Sequence, residues 1–123
     1  MRGIAFLFYV VAVLYVLGGM MFGIHMAGAH DFSLAPAHAH LNLVGWVTTG
    51  MFGVYYHVVP KAAQGILPKI HFAIATPGVL LMFPGIIMSI QGQGDALAIV
   101  GSLLTIASML LFLFIVIRSR GTA

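Results

Sequence analysis

No cysteine occurs anywhere in this chain. That excludes disulfides, thiolate metal sites, iron–sulfur clusters and the C-x-x-C-H attachment of a c-type haem. Any metal must therefore be held by His, Met or oxygen ligands. Charge is nearly as scarce. Charged residues make up 6% of the chain, against about 25% in a soluble domain. Only two are acidic, Asp31 and Asp95. The net charge of +3 does not mark a nucleic-acid binder, because the few basic residues are scattered among apolar spans.

What is abundant is apolar surface: 62% of the 123 residues are hydrophobic and the mean hydropathy is +1.14. Four apolar stretches, at residues 4–26, 37–59, 68–90 and 96–117, each have the length of a bilayer-crossing helix, ~20 residues. Asp95 is placed to cap the last. The links between spans are short, which favours antiparallel neighbours. The expectation is an all-α, integral membrane four-helix bundle, a single membrane domain over residues 1–123. The first span exceeds the 7–15 apolar residues of a signal-peptide core, so it is read as a retained span. Arg2, Lys61, Lys69, Arg118 and Arg120 all fall on one side of this topology and both acids on the other. The positive-inside rule then puts both termini and the 60–67 link in the cytoplasm.

The compositional anomaly is six histidines in so small a membrane protein. The topology groups His25, His30, His38 and His40 at the outer end, and His57 and His71 at the inner end. His40 and His57 are about 26 Å apart at 1.5 Å per residue, so one ion cannot bind both groups within a protomer. Histidine in a span is by default a hypothesis about function, and residues 36–60 carry two, His38 and His40, in one turn. At 100° per residue these point ~200° apart, onto opposite faces. With His38 go Asn42, Gly45, Thr49, Gly53 and Tyr56, a small and polar stripe suited to close helix contact. With His40 go Val44, Val47, Met51, Val54 and Val58, an apolar wall suited to a flat ligand such as a porphyrin. Imidazole suits iron, copper and zinc alike; the wall and the lack of acidic ligands tilt the choice toward haem. The competing reading for these four His is an interfacial side chain bonded to water or lipid headgroups.

His57 and His71 flank a short basic link and are placed to face each other, as a second haem site, a quinone pocket, a proton inlet or a pair bonded to link carbonyls. The third span repeats Thr76-Pro77-Gly78 and Phe83-Pro84-Gly85 seven residues apart, and proline kinks a helix. Gly19 and Gly23 form a G-x-x-x-G step, a signal for close helix contact.

The run His38-Ala-His40-Leu-Asn-Leu-Val-Gly-Trp46, followed by Phe52-Gly-Val-Tyr-Tyr-His57-Val-Val-Pro60, resembles small membrane proteins related to subunit I of haem–copper oxidases. Asp31, Pro36 and His71-Phe72 extend the likeness over about two-thirds of the chain. Subunit I has twelve helices in three four-helix arcs, and this chain looks like one arc standing alone. The resemblance implies a homo-oligomer that rebuilds the ring, a trimer or failing that a dimer, with noncovalent b-type haem between protomers in a bacterial or archaeal inner membrane. His40, His38 and, from the resemblance only, His71 are its implied ligands. Asn42, Gly45, Trp46, Thr49 and Met51 would pack around them. The chain departs from the family in three ways: it has no His-His pair for copper, no Tyr four residues after His38 or His40, and no outer Arg or Lys for haem propionates. Haem ligation carries over; catalysis does not.

The leading function is thus electron transfer or small-gas binding by a membrane haem protein. Two rivals stand beside it. One is a haem-free copper- or zinc-binding protein using His25 and His30 beside Met20, Met21 and Met26. The other is a structural assembly subunit.

Overall fold

A computed structural model of the chain describes residues 1–122, and among these there is no strand. The order is α1 (Gly3–Ala29), α2 (Ala35–His40), a π-helical segment (Leu41–Thr48), α3 (Thr49–Val58), a short 3-10 turn (Pro60–Ala63), α4 (Leu67–Ile90) and α5 (Ala96–Arg118). Three of these, α1, α4 and α5, are long and apolar enough to cross a membrane. Their outward faces are apolar too: Leu14, Met21 and Ile24 on α1, and Leu103, Leu110 and Phe114 on α5, are exposed. Helices that remain apolar on the side turned away from the protein suit a lipid surround, and the chain is a membrane protein.

The run from Ala35 to Val58 is not the regular α-helix expected for the second span; its middle is a π-helix. The spacing of its buried residues supplies the reason. Ala37, Leu41, Gly45 and Thr49 are all buried, at a period of four. In an α-helix each four-residue step drifts by about 40°. A ladder of i→i+5 bonds turns less per residue, so it keeps these positions nearly in line. Two hydroxyls reinforce it, Thr48 Oγ1 donating to the Leu43 carbonyl at 2.8 Å and Thr49 Oγ1 to that of Val44 at 3.1 Å, each five residues back.

α1 lies along this run. A Cβ on Gly45 would sit 3.0 Å from the Tyr15 Cβ, and one on Gly53 would sit 3.0 Å from the Ala5 carbonyl oxygen. α1 ends at His30, which takes the left-handed conformation (φ 52°) while the His30 and Asp31 N–H groups donate to the Ala27 and Met26 carbonyls, a Schellman-type stop. α4 continues as one helix through Pro77 and Pro84. The Thr-Pro-Gly and Phe-Pro-Gly repeat matters for its glycines: Gly78 faces Thr105 of α5, and Gly85 faces the backbone of Leu97 and Ala98. Gly101 of α5 returns the contact against Met82.

Asp95 precedes α5, but its carboxylate makes no cap to the helix; it accepts a hydrogen bond from Ser89 Oγ instead. Ala5, Phe8, Phe52, Tyr56, Ala75 and Ile115 form the larger core cluster, so the two ends of the chain meet at one end of the molecule. A smaller cluster of Tyr15, Leu41 and Val79 lies toward the other.

Candidate functional site

His40 is exposed at the close of α2. Pro36, one turn earlier, has its carbonyl 2.7 Å from His40 Nδ1. A carbonyl only accepts, so Nδ1 carries the proton and donates. In the neutral ring this puts the lone pair on Nε2, the arrangement that backbone bonds impose on metal-ligating histidines. Below His40 the same outward side is apolar: Leu43, Val47, Met51, Val54 and Val58 are all exposed. Val44, expected on this wall, turns partly inward against the Tyr15–Leu41–Val79 cluster. The π segment shifts the register and brings Leu43 into its place.

His38 faces the other way, as the 200° separation requires, and what covers it is α1 of its own chain. Its Nε2 lies 3.3 Å from Asn42 Nδ2, one turn on. A Cβ on Gly23 would meet the ring at 3.0 Å, and one on Gly19 would strike the Asn42 amide oxygen. The G-x-x-x-G step of α1 is therefore the seat for His38 and Asn42. The small polar stripe, read from sequence as suited to close helix contact, makes that contact within the chain, against α1. His38 Nδ1 and Asn42 Oδ1 are buried without a partner. Trp46 is half-buried edge-on to Tyr9, with ring centroids 6.1 Å apart. Thr49 is buried.

The remaining histidines do not join this group. His25 is exposed on α1, and His30, whose backbone forms the left-handed stop, is exposed as well. Met20 and Met21 are exposed while Met26 is buried, so the three sulfurs do not converge with His25. Asp31 is exposed; a hydrogen bond from the Ser33 N–H holds its carboxyl below the ordinary range. Among the described residues no three His, Asp or Glu side chains form a metal-ligand set.

His71 and His57 do not face each other. His57 is exposed in a groove with Arg2, Pro60 and Ala63. His71 is fully buried, with Phe52, Phe8, Phe112 and Tyr56 ring centroids at 4.4, 4.9, 5.3 and 5.8 Å. The Tyr56 hydroxyl lies 2.8 Å from His71 Nδ1. Tyr56 is sixteen residues past His40, about 24 Å at helical rise, so the fold does not bring His71 to His38 or His40. Nothing in the sequence pattern marked the aromatic box around His71; its four rings come from three helices, α1, α3 and α5, that close on α4.

Removing this imidazole strands a buried phenol, which costs about 1–3 kcal/mol. Thermal unfolding in detergent should show His71→Leu destabilised by that amount, and the double variant His71→Leu/Tyr56→Phe less destabilised than the sum of the two single changes. Strict additivity would mean the Tyr56–His71 bond contributes nothing.

Three comparisons, with protein-family models, with curated proteins and with solved structures, give no match to this chain.

Proposed function

We propose that the chain is a four-helix protein of a bacterial or archaeal inner membrane that binds b-type haem noncovalently in a homo-oligomer. Its role is electron transfer or small-gas binding. The fourth span is the continuous helical run from Ala35 to Val58, and the five basic residues place both termini in the cytoplasm. One observation carries the haem assignment: His40, its Nδ1 held by the Pro36 carbonyl, turns Nε2 outward from an exposed apolar face.

The residues fit the group they are assigned. Imidazole Nε2 is an iron ligand, and Leu43, Val47, Met51 and Val54 can cover a porphyrin face and exclude water. No Arg or Lys stands at this end, so propionate charge is left to solvent. When bound, haem supplies a one-electron iron couple or a coordination position for a small gas. Of the three implied ligands, His40, His38 and His71, only His40 is offered outward. His38 is committed to Asn42 and α1, and His71 is enclosed by aromatic rings, which leaves no face for a porphyrin. A second iron ligand would then come from a neighbouring protomer, and closed symmetry is the usual outcome of such contacts. A trimer matches the three-arc resemblance; a dimer pairs two His40 residues across an isologous contact.

The visible spectrum of the purified protein tests this. A Soret band is expected, and acid–organic extraction should remove all of the pigment, since no cysteine can hold it. Bound metal without a Soret band would favour the copper or zinc reading, and neither would favour an assembly subunit. Pigment left on the polypeptide would refute noncovalent binding.

A further inference from the structure

The five cations stand at the end where the chain termini meet, while both side-chain carboxylates, Asp31 and Asp95, lie in links at the opposite end. No side chain of the protein can therefore neutralise them. Two of the five, Lys61 and Arg118, line a single crevice of about 190 Å³ between the 3-10 turn, the start of α4 and the end of α5. Gln64 and Thr122 add polar groups to it, and Leu67 and Ile115 an apolar part.

Three features favour an anion here. α4 begins at Leu67, so the positive end of a long helix dipole opens on the crevice. At the opposing end of α5 the last carbonyls are partly taken up: the Ser119 hydroxyl lies 2.7 Å from the Ile115 carbonyl and 3.3 Å from that of Val116, and the Arg120 N–H donates to the Ile117 carbonyl at 3.4 Å. The wall is also braced, since the Tyr55 hydroxyl lies 2.6 Å from Ser119 Oγ and ties α3 to the end of α5. Two cations with no acidic side chain beside them among the described residues, at a helix N-terminus, make a site for a phosphate group. Basic pockets between membrane helices on the cytoplasmic side take lipid headgroups. Exposed Leu113, Phe114 and Ile117 continue from Arg118 along α5 and offer an acyl chain its path.

We propose that the Lys61–Arg118 crevice binds the phosphate of an anionic glycerophospholipid. The assignment stands apart from the haem reading, because it uses the other end of the molecule.

Native mass spectrometry of the detergent-solubilised full chain tests it, with phosphatidylglycerol or phosphatidylcholine added. Phosphatidylglycerol should be retained and phosphatidylcholine not. At a contribution of about fivefold per cation near a membrane surface, Lys61→Gln/Arg118→Gln should weaken retention about 30-fold. The charge-matched Arg2→Gln/Lys69→Gln should leave it unchanged. Lys61→Gln alone, at about fivefold, carries the test if the double variant loses its helical circular dichroism. Equal weakening by the charge-matched pair would show diffuse attraction and overturn the site. Equal retention of phosphatidylcholine would overturn it too, and displacement of the lipid by millimolar inorganic phosphate would reassign the crevice to a soluble phosphate.

Discussion

His40→Ala is expected to abolish the low-spin haem spectrum while leaving the helix content and most of the oligomer intact. The side chain is exposed and its one hydrogen bond goes to the backbone of its own helix, so its removal takes little from the fold. On the proposed function the change removes an iron ligand, and haem content should fall about tenfold or more. Added imidazole should restore part of the spectrum in His40→Gly, a rescue that a packing defect would not show. His38→Ala should behave differently. It leaves the Asn42 amide without its partner in the contact with α1, at a cost of about 1–3 kcal/mol, and lowers haem only in proportion to folded protein. His57→Ala should leave the spectrum unchanged, because His57 is exposed in a groove at the other end. If His57→Ala removes the low-spin signal and His40→Ala does not, the site is at the wrong end and the assignment fails.

The second large effect belongs to the crossing of α4 and α5. Gly85 lies against the backbone of Leu97 and Ala98, and Gly101 against the backbone of Met82. Backbone atoms cannot rotate aside as a side chain can. A Cβ at either position must separate the helices, which are held there by close packing and not by a hydrophobic drive. Overpacking commonly costs 1–3 kcal/mol, and a clash with backbone sits at or above the top of that range. Gly85→Leu and Gly101→Leu should therefore each destabilise the protein by about 3 kcal/mol or more, read as thermal unfolding in detergent by circular dichroism. Gly18 is the contrast: it is exposed, with open space where its Cβ would be. Gly18→Ala should stabilise by up to about 1 kcal/mol through helix propensity alone. Opposite signs at Gly18 and Gly85 are the expected outcome, and shifts of the same sign and size would show that the crossing is not there.

How much was legible in sequence varied with how local its cause was. Three apolar runs became α1, α4 and α5, because twenty consecutive residues with almost no charge leave a helix as the form that satisfies its own backbone in lipid. The opposed directions of His38 and His40 followed from helical pitch. Gly19-x-x-x-Gly23 did announce a close contact, though not its partner. Asp95 shows the limit: its type and position read as a cap, and the nearby Ser89 hydroxyl took its carboxylate.

The sequence by itself determined that this is an apolar, helical, cysteine-free chain with its few charges confined to the ends of its apolar runs and the links between them. These properties depend on composition and on the spacing of neighbours, which no later packing can alter. The tertiary structure decided which histidine is offered and which is used. His38 and His40 are the same residue type two positions apart, but α1 settles onto one of them and leaves the other outside. The π segment, the aromatic enclosure of His71 and the convergence of Lys61 with Arg118 were decided there too. Each joins residues far apart in the chain, or answers to a helix packed against it, and periodicity along one helix carries no record of that neighbour.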